Sequence, residues 1–86
     1  MNDKSDVLDY LAMNKDHYKD LLFDDFVSLN DMLQDESLKL FWDDIRDQFE
    51  MNARYIIITD LLPKFDIETV DLWILVEDIN IKEYLK

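Results

Sequence analysis

The chain has 86 residues, 21 of them Asp or Glu against 9 Lys and Arg, for a net charge of −12 with 49% hydrophobic residues and neither glycine nor cysteine. A chain of this length supports one core but not a deep enzyme cleft with its own supporting shell, and its apolar half is too large for a disordered acidic tail. The charge repels nucleic acid and anionic membranes and attracts basic proteins, while the absence of cysteine excludes disulfides and thiolate metal sites.

Residues 1–86 read as a single acidic helical domain, with no repeat, linker or low-complexity segment. The first residues lack the basic and then apolar pattern of a secretory signal, and no run approaches the roughly 18 to 20 apolar residues that span a bilayer. A cytoplasmic protein is therefore expected. With no glycine, sharp turns fall to Asn, Asp, Ser and the single proline, Pro63. Tight hairpins usually want Gly, whereas short turns between helices manage with Asn and Asp, which favours an all-α fold.

In chain order, Ser5 reads as the N-cap of a short helix carrying Val7, Leu8 and Leu11 and ending near Asn14. A second helix is predicted from Lys15 to about Leu33. Tyr18, Leu21, Leu22, Phe26, Leu29 and Leu33 share one face, and Asp16, Asp20, Asp24, Asp31 and Asp35 lie opposite. Phe23 and Val27 project beside these acids. Asp35 or Ser37 caps a third helix with an apolar face of Leu38, Phe41, Trp42, Ile45 and Phe49 and an acidic face of Glu36, Asp43, Asp47 and Glu50.

Beyond Asn52 two readings stay open. The segment 54–59 is β-branched and suits a strand, or it continues a helix that Pro63 stops. The segment 66–79 is the least polar in the chain and the expected centre of the fold, with Asp66 as its N-cap; its residues 70–76 suit a buried helix or a central strand. A last short turn is expected over 81–86. The fold class that follows is all-α, a small bundle of four to five helices, with α+β and strands near 54–59 and 70–76 as the alternative. The predicted core is Leu22, Phe26, Leu29, Leu38, Trp42, Ile45, Phe49, Ile56, Trp73 and Ile74.

No motif carries chemistry. Adjacent acids such as Asp24 and Asp25, or Asp43 and Asp44, point about 100° apart on a helix and cannot chelate one ion together, so no metal and no cofactor are expected. His17 is the only histidine and has no nucleophile motif around it, so the chain is expected not to be an enzyme. The acidic stripes are the main functional signal. Like charges at i and i+4 disfavour a helix, and few cations interleave them. Four helical residues rise about 6 Å, comparable to the spacing of phosphates along a strand. The candidate partner-binding residues are Asp16, Asp20, Asp24, Asp31, Asp35, Asp43, Asp47 and Glu50, with Phe23 and Val27 as apolar anchors.

These features predict a small acidic inhibitor whose acidic helical face occupies the basic surface of a nucleic-acid-binding protein or nuclease, without binding nucleic acid or membrane itself. In charge, size and helicity the chain is similar to the DNA-mimic, anti-restriction and anti-CRISPR proteins of phages and mobile elements. One alternative is an immunity protein or antitoxin that neutralises a cognate nuclease. The other is a structural or adaptor subunit that buries residues 55–58 and 73–76 in an oligomer. Monomer and homodimer both remain open at this point.

Overall fold

The computed structural model describes residues 3–79. They form five α-helices, α1 (Lys4–Met13), α2 (Lys15–Leu21), α3 (Phe23–Gln34), α4 (Trp42–Leu61) and α5 (Thr69–Asp78), with a 3-10 helix at Glu36–Phe41. The all-α expectation holds. The strand alternative does not, because 54–59 lies inside α4 and 70–76 inside α5, with no strand among the described residues. Isoleucine is disfavoured in helices by only a few tenths of a kcal/mol, and burial of Ile57, Ile58 and Leu61 outweighs that preference.

The centre of the fold is α4 and not the segment 66–79. At 20 residues, α4 spans about 30 Å and packs against α3 on one flank and α5 on another. Its buried residues are Phe49, Ala53, Ile57, Ile58 and Leu61, which follow one another along a single stripe at helical spacing. In α5 the buried side chains are Leu72, Leu75 and Val76. Ile74, expected in the core, is 49% exposed, since at 100° per residue it lies opposite Leu72.

Leu22, Leu29 and Phe49 are buried as expected, and Phe26, Ile45, Ile56 and Trp73 pack against the buried cluster while remaining partly exposed. Leu38 and Trp42 are half-buried in the connection from α3 to α4. The indole N–H of Trp42 donates to the Met32 carbonyl at 3.1 Å, which fixes that corner. Val7, Leu11 and Tyr18, apolar-face residues not named in the predicted core, belong to it as well. Tyr10 stacks edge-on against Phe65, with centroids 5.4 Å apart, and so ties α1 to the α4–α5 connection.

Local boundaries differ from the expectation in several places. The cap of α1 is Asp3 and not Ser5: Asp3 accepts from the Asp6 backbone N–H at 3.0 Å, and Asp6 accepts in return from the Asp3 N–H. The predicted helix from Lys15 to Leu33 breaks at Leu22, whose φ of −97° and ψ of 1° leave the helical basin while the i to i+4 bonds on either side persist. No proline or glycine ends the helix there. Tyr18 and Leu22 are both fully buried, one before the break and one at it, so the break coincides with a tertiary contact and not with a breaker residue. Glu68, not Asp66, stands at the N-cap of α5, without a side-chain hydrogen bond.

Asp35 does cap the next element, a 3-10 turn instead of the start of one long helix. Pro63 follows Leu62, the C-cap of α4, as expected of a residue that cannot continue a helix. No described residue has positive φ, so the helix ends are made without the left-handed conformation that glycine usually supplies. The expected last turn over 81–86 lies outside the described residues.

Candidate partner-binding surface

The ten candidate residues do not form one face. Phe23, Asp24, Val27 and Asp31 share the outer side of α3, opposite Leu29, the residue that α3 turns toward α4. Phe23 is 60% exposed and Val27 is also exposed, so two apolar side chains one turn apart sit bracketed by acids. Asp16 and Asp20 are exposed on α2, which leads into this face across the break at Leu22. The break interrupts the regular i, i+4 row expected of Asp16, Asp20 and Asp24.

Asp47 and Glu50 belong elsewhere, on the flank of α4 beside α5. With Met51, Arg54, Trp73 and Glu77 they line a cleft of about 270 Å³. The remaining two candidates have local partners. Asp43 accepts from Arg46 at 3.1 Å, and Asp35 accepts from the Ser37 backbone N–H at 3.0 Å and hydroxyl at 2.6 Å, which holds its carboxyl below the usual range.

Helix polarity sorts the acids further. Asp16, Asp24 and Asp43 stand in first turns, where the positive end of the helix dipole favours an anion. Asp20, Asp31 and Glu77 stand in last turns, where the same dipole disfavours them, and α3 and α5 have no basic residue in the last turn. Meanwhile two cations serve helix C-termini from elsewhere. Arg54 donates to the Val76 carbonyl of α5 at 3.4 Å and lies 3.6 Å from Glu50, and Lys64 donates to the Asp60 carbonyl of α4 at 3.1 Å. Asp16, Asp20, Asp24, Asp31, Asp47 and Glu77 form no ion pair with a described residue.

A constellation not anticipated from the sequence surrounds Asp60. The Tyr18 hydroxyl donates to Oδ2 at 2.7 Å, the Lys64 ammonium to Oδ1 at 3.0 Å, and His17 Nε2 lies 3.4 Å from Oδ1. Burial pushes the Asp60 carboxyl up, but these partners outweigh it and hold the group below the ordinary carboxylate range. Burial, and then the bond to Asp60, push the Tyr18 phenol well above its usual value. The cluster joins α2 to α4 through one carboxylate. Separations of 42 and 43 residues along the chain hid it from any reading of local spacing.

No family model matches this chain, and no curated protein or solved structure is significantly similar to it. Geometry therefore carries the functional reading. Among the described residues no three His, Asp or Glu side chains are grouped closely enough to hold a metal ion, and no helix is long and apolar enough to cross a membrane. The surface expected for an adaptor subunit is much reduced: Ile57, Ile58, Leu75 and Val76 are buried within one chain, leaving Tyr55 and Ile74 as its exposed large members.

Proposed function

We propose that this chain is a small acidic, non-enzymatic inhibitor that occupies the basic nucleic-acid-binding surface of another protein, in the manner of DNA-mimic, anti-restriction and anti-CRISPR proteins. The observation that carries this reading is the placement of Asp20 and Asp31. Both are exposed, both lack an ion pair with a described residue, and both sit in last turns where an acid costs about 0.3 to 1 kcal/mol. Folding alone gives no reason to keep them. A basic partner does, because exposed carboxylates with no ion pair to a described residue steer its approach and then replace the phosphates it normally holds.

In this proposal Asp16, Asp20, Asp24 and Asp31 supply the charge, and Phe23 and Val27 supply desolvated anchors that slow dissociation. The test begins with affinity capture from the native host and continues with the captured partner. Binding of the Asp20→Asn, Asp31→Asn double variant should weaken, and double-stranded DNA should compete with the wild-type chain for the partner. A complex indifferent to DNA and to both substitutions would reduce these acids to a solvated face.

A further inference from the structure

The outer side of α5 is apolar where a surface helix is usually polar. Val70 is 66% exposed and Ile74 about half, one turn apart, and Trp73 lies beside them at the edge of the cleft with α4. Met51 of α4, also exposed, forms the other apolar wall. Val70 and Ile74 thus lie on the outer side of α5 next to Trp73, which with Met51 lines the α4–α5 groove, so the exposed apolar side chains are grouped beside it and not scattered singly. Its borders are acidic. Asp47 and Glu50 lie on the α4 side and Glu77 on the α5 side, and the one cation among the described residues that line the cleft, Arg54, is already held by Glu50 and the Val76 carbonyl.

We propose that this groove receives the apolar and basic face of an amphipathic helix from the partner protein, a deepening that rests on the reading that the partner is basic. An amphipathic helix presents apolar residues at i, i+3, i+4 and i+7, which match the spacing of Val70, Trp73, Ile74 and Glu77 on the receiving side. Its leucine-type residues cover Val70, Ile74 and Met51, and its Lys or Arg residues reach Asp47, Glu50 and Glu77. An Arg or Lys next to the Trp73 ring also gains attraction from the ring face. Charge selects this occupant over a second copy of the chain, because two bodies of −12 repel each other.

The probe is a synthetic helix of about three heptads built from Leu and Lys in an amphipathic pattern. It is compared with a scrambled peptide of the same composition and with a Leu and Glu counterpart. Each of the two tryptophans gives its own indole N–H resonance, so titration of the labelled full chain reads the site directly. The Trp73 resonance should shift with the patterned Leu-Lys peptide and not with either control, while Trp42, held on the Met32 carbonyl, stays in place. Ile74→Lys and Glu77→Lys are exposed and should leave the fold intact, yet each should weaken peptide binding roughly tenfold or more.

Equal binding of the scrambled peptide, or unchanged affinity in both variants, overturns the proposal. If Asp20→Asn and Asp31→Asn weaken peptide binding while Ile74→Lys and Glu77→Lys do not, the basic partner stands and the groove falls. No binding of any basic peptide removes both. Two further outcomes would name another occupant and overturn the proposal as well: a dimer dissociated by Ile74→Lys, or Overhauser contacts between Trp73 and residues 80–86 in the free chain.

Discussion

Asp60 concentrates the specific polar interactions of the fold on one carboxylate, and its protonation is the clearest handle on them. Its carboxyl is held below the ordinary value, so the stability it contributes is complete above about pH 4 and is lost as pH falls through the lower folded value. Tyr18 is shifted the other way. Its contribution is complete below about pH 10 and fades as pH rises beyond the unfolded value. Between those limits Tyr18→Phe should cost about 1.5 to 3 kcal/mol, the range for a hydrogen bond to a charged group. Urea denaturation at pH 7 and pH 3 checks this: the difference from wild type should shrink at pH 3, and a constant difference would show that the ionised Asp60 carboxylate adds nothing to it. His17 is half exposed and contacts the same carboxylate at longer range, so His17→Ala should change stability by less than about 1 kcal/mol and leave partner binding intact. A loss of function in that variant would contradict the proposal of a non-enzymatic inhibitor.

At the scale of the element, α5 separates burial from mere hydrophobicity. Nearly every residue from Val70 to Val76 is apolar, yet only Leu72, Leu75 and Val76 are buried. Leu72→Ala should therefore cost about 2 to 5 kcal/mol, and Ile74→Ala less than about 1 kcal/mol, in thermal or chemical denaturation. Equal costs would mean that α5 is rotated from the orientation described. The apolar run could not reveal this, because a helix apolar all round offers no periodic signal to show which side faces inward. In α3 the signal was clean, and Leu22, Phe26, Leu29 and Leu33 do lie on or against the core. The break at Leu22 was not legible, since no breaker residue marks it and it coincides with the burial of Tyr18 and Leu22.

Taken as a whole, the molecule is a slender body, 49 × 24 × 18 Å, with many acids on its flanks and few cations to offset them. Such a shape has a small core for its surface, which accounts for the number of large apolar side chains left exposed. Charge then works against the fold locally. Replacing Asp20 and Asp31 with Asn should raise stability by roughly 0.5 to 1 kcal/mol, because both acids oppose the helix dipole. Asp16→Asn and Asp24→Asn should be nearly neutral, since relief of repulsion at i and i+4 is offset by loss of a favourable first-turn anion. Denaturation of the two pairs distinguishes the cases, and stabilisation by the second pair alone would contradict the dipole account. Binding to the captured partner should weaken as salt is raised, chiefly through slower association, because exposed charges are screened beyond about 8 Å at physiological ionic strength. A salt-independent complex would place its energy in apolar contacts such as Phe23.

The sequence by itself determined that the chain is strongly acidic, that its first half is helical and which side of α3 turns inward, while helix and strand stayed open for 54–59 and 70–76. Segregated stripes and the absence of glycine are local properties, and helical geometry converts them directly into faces. Only the tertiary structure decided that α4 is the centre, that α5 leaves Val70 and Ile74 outside, and that the acids divide between the face of α3 and the α4–α5 cleft. Those outcomes depend on which helix lies against which, as when Tyr18 reaches Asp60 or Arg54 reaches the Val76 carbonyl. The spacing of side chains along one helix sets its faces, but a face becomes core or surface only through the element that comes to cover it.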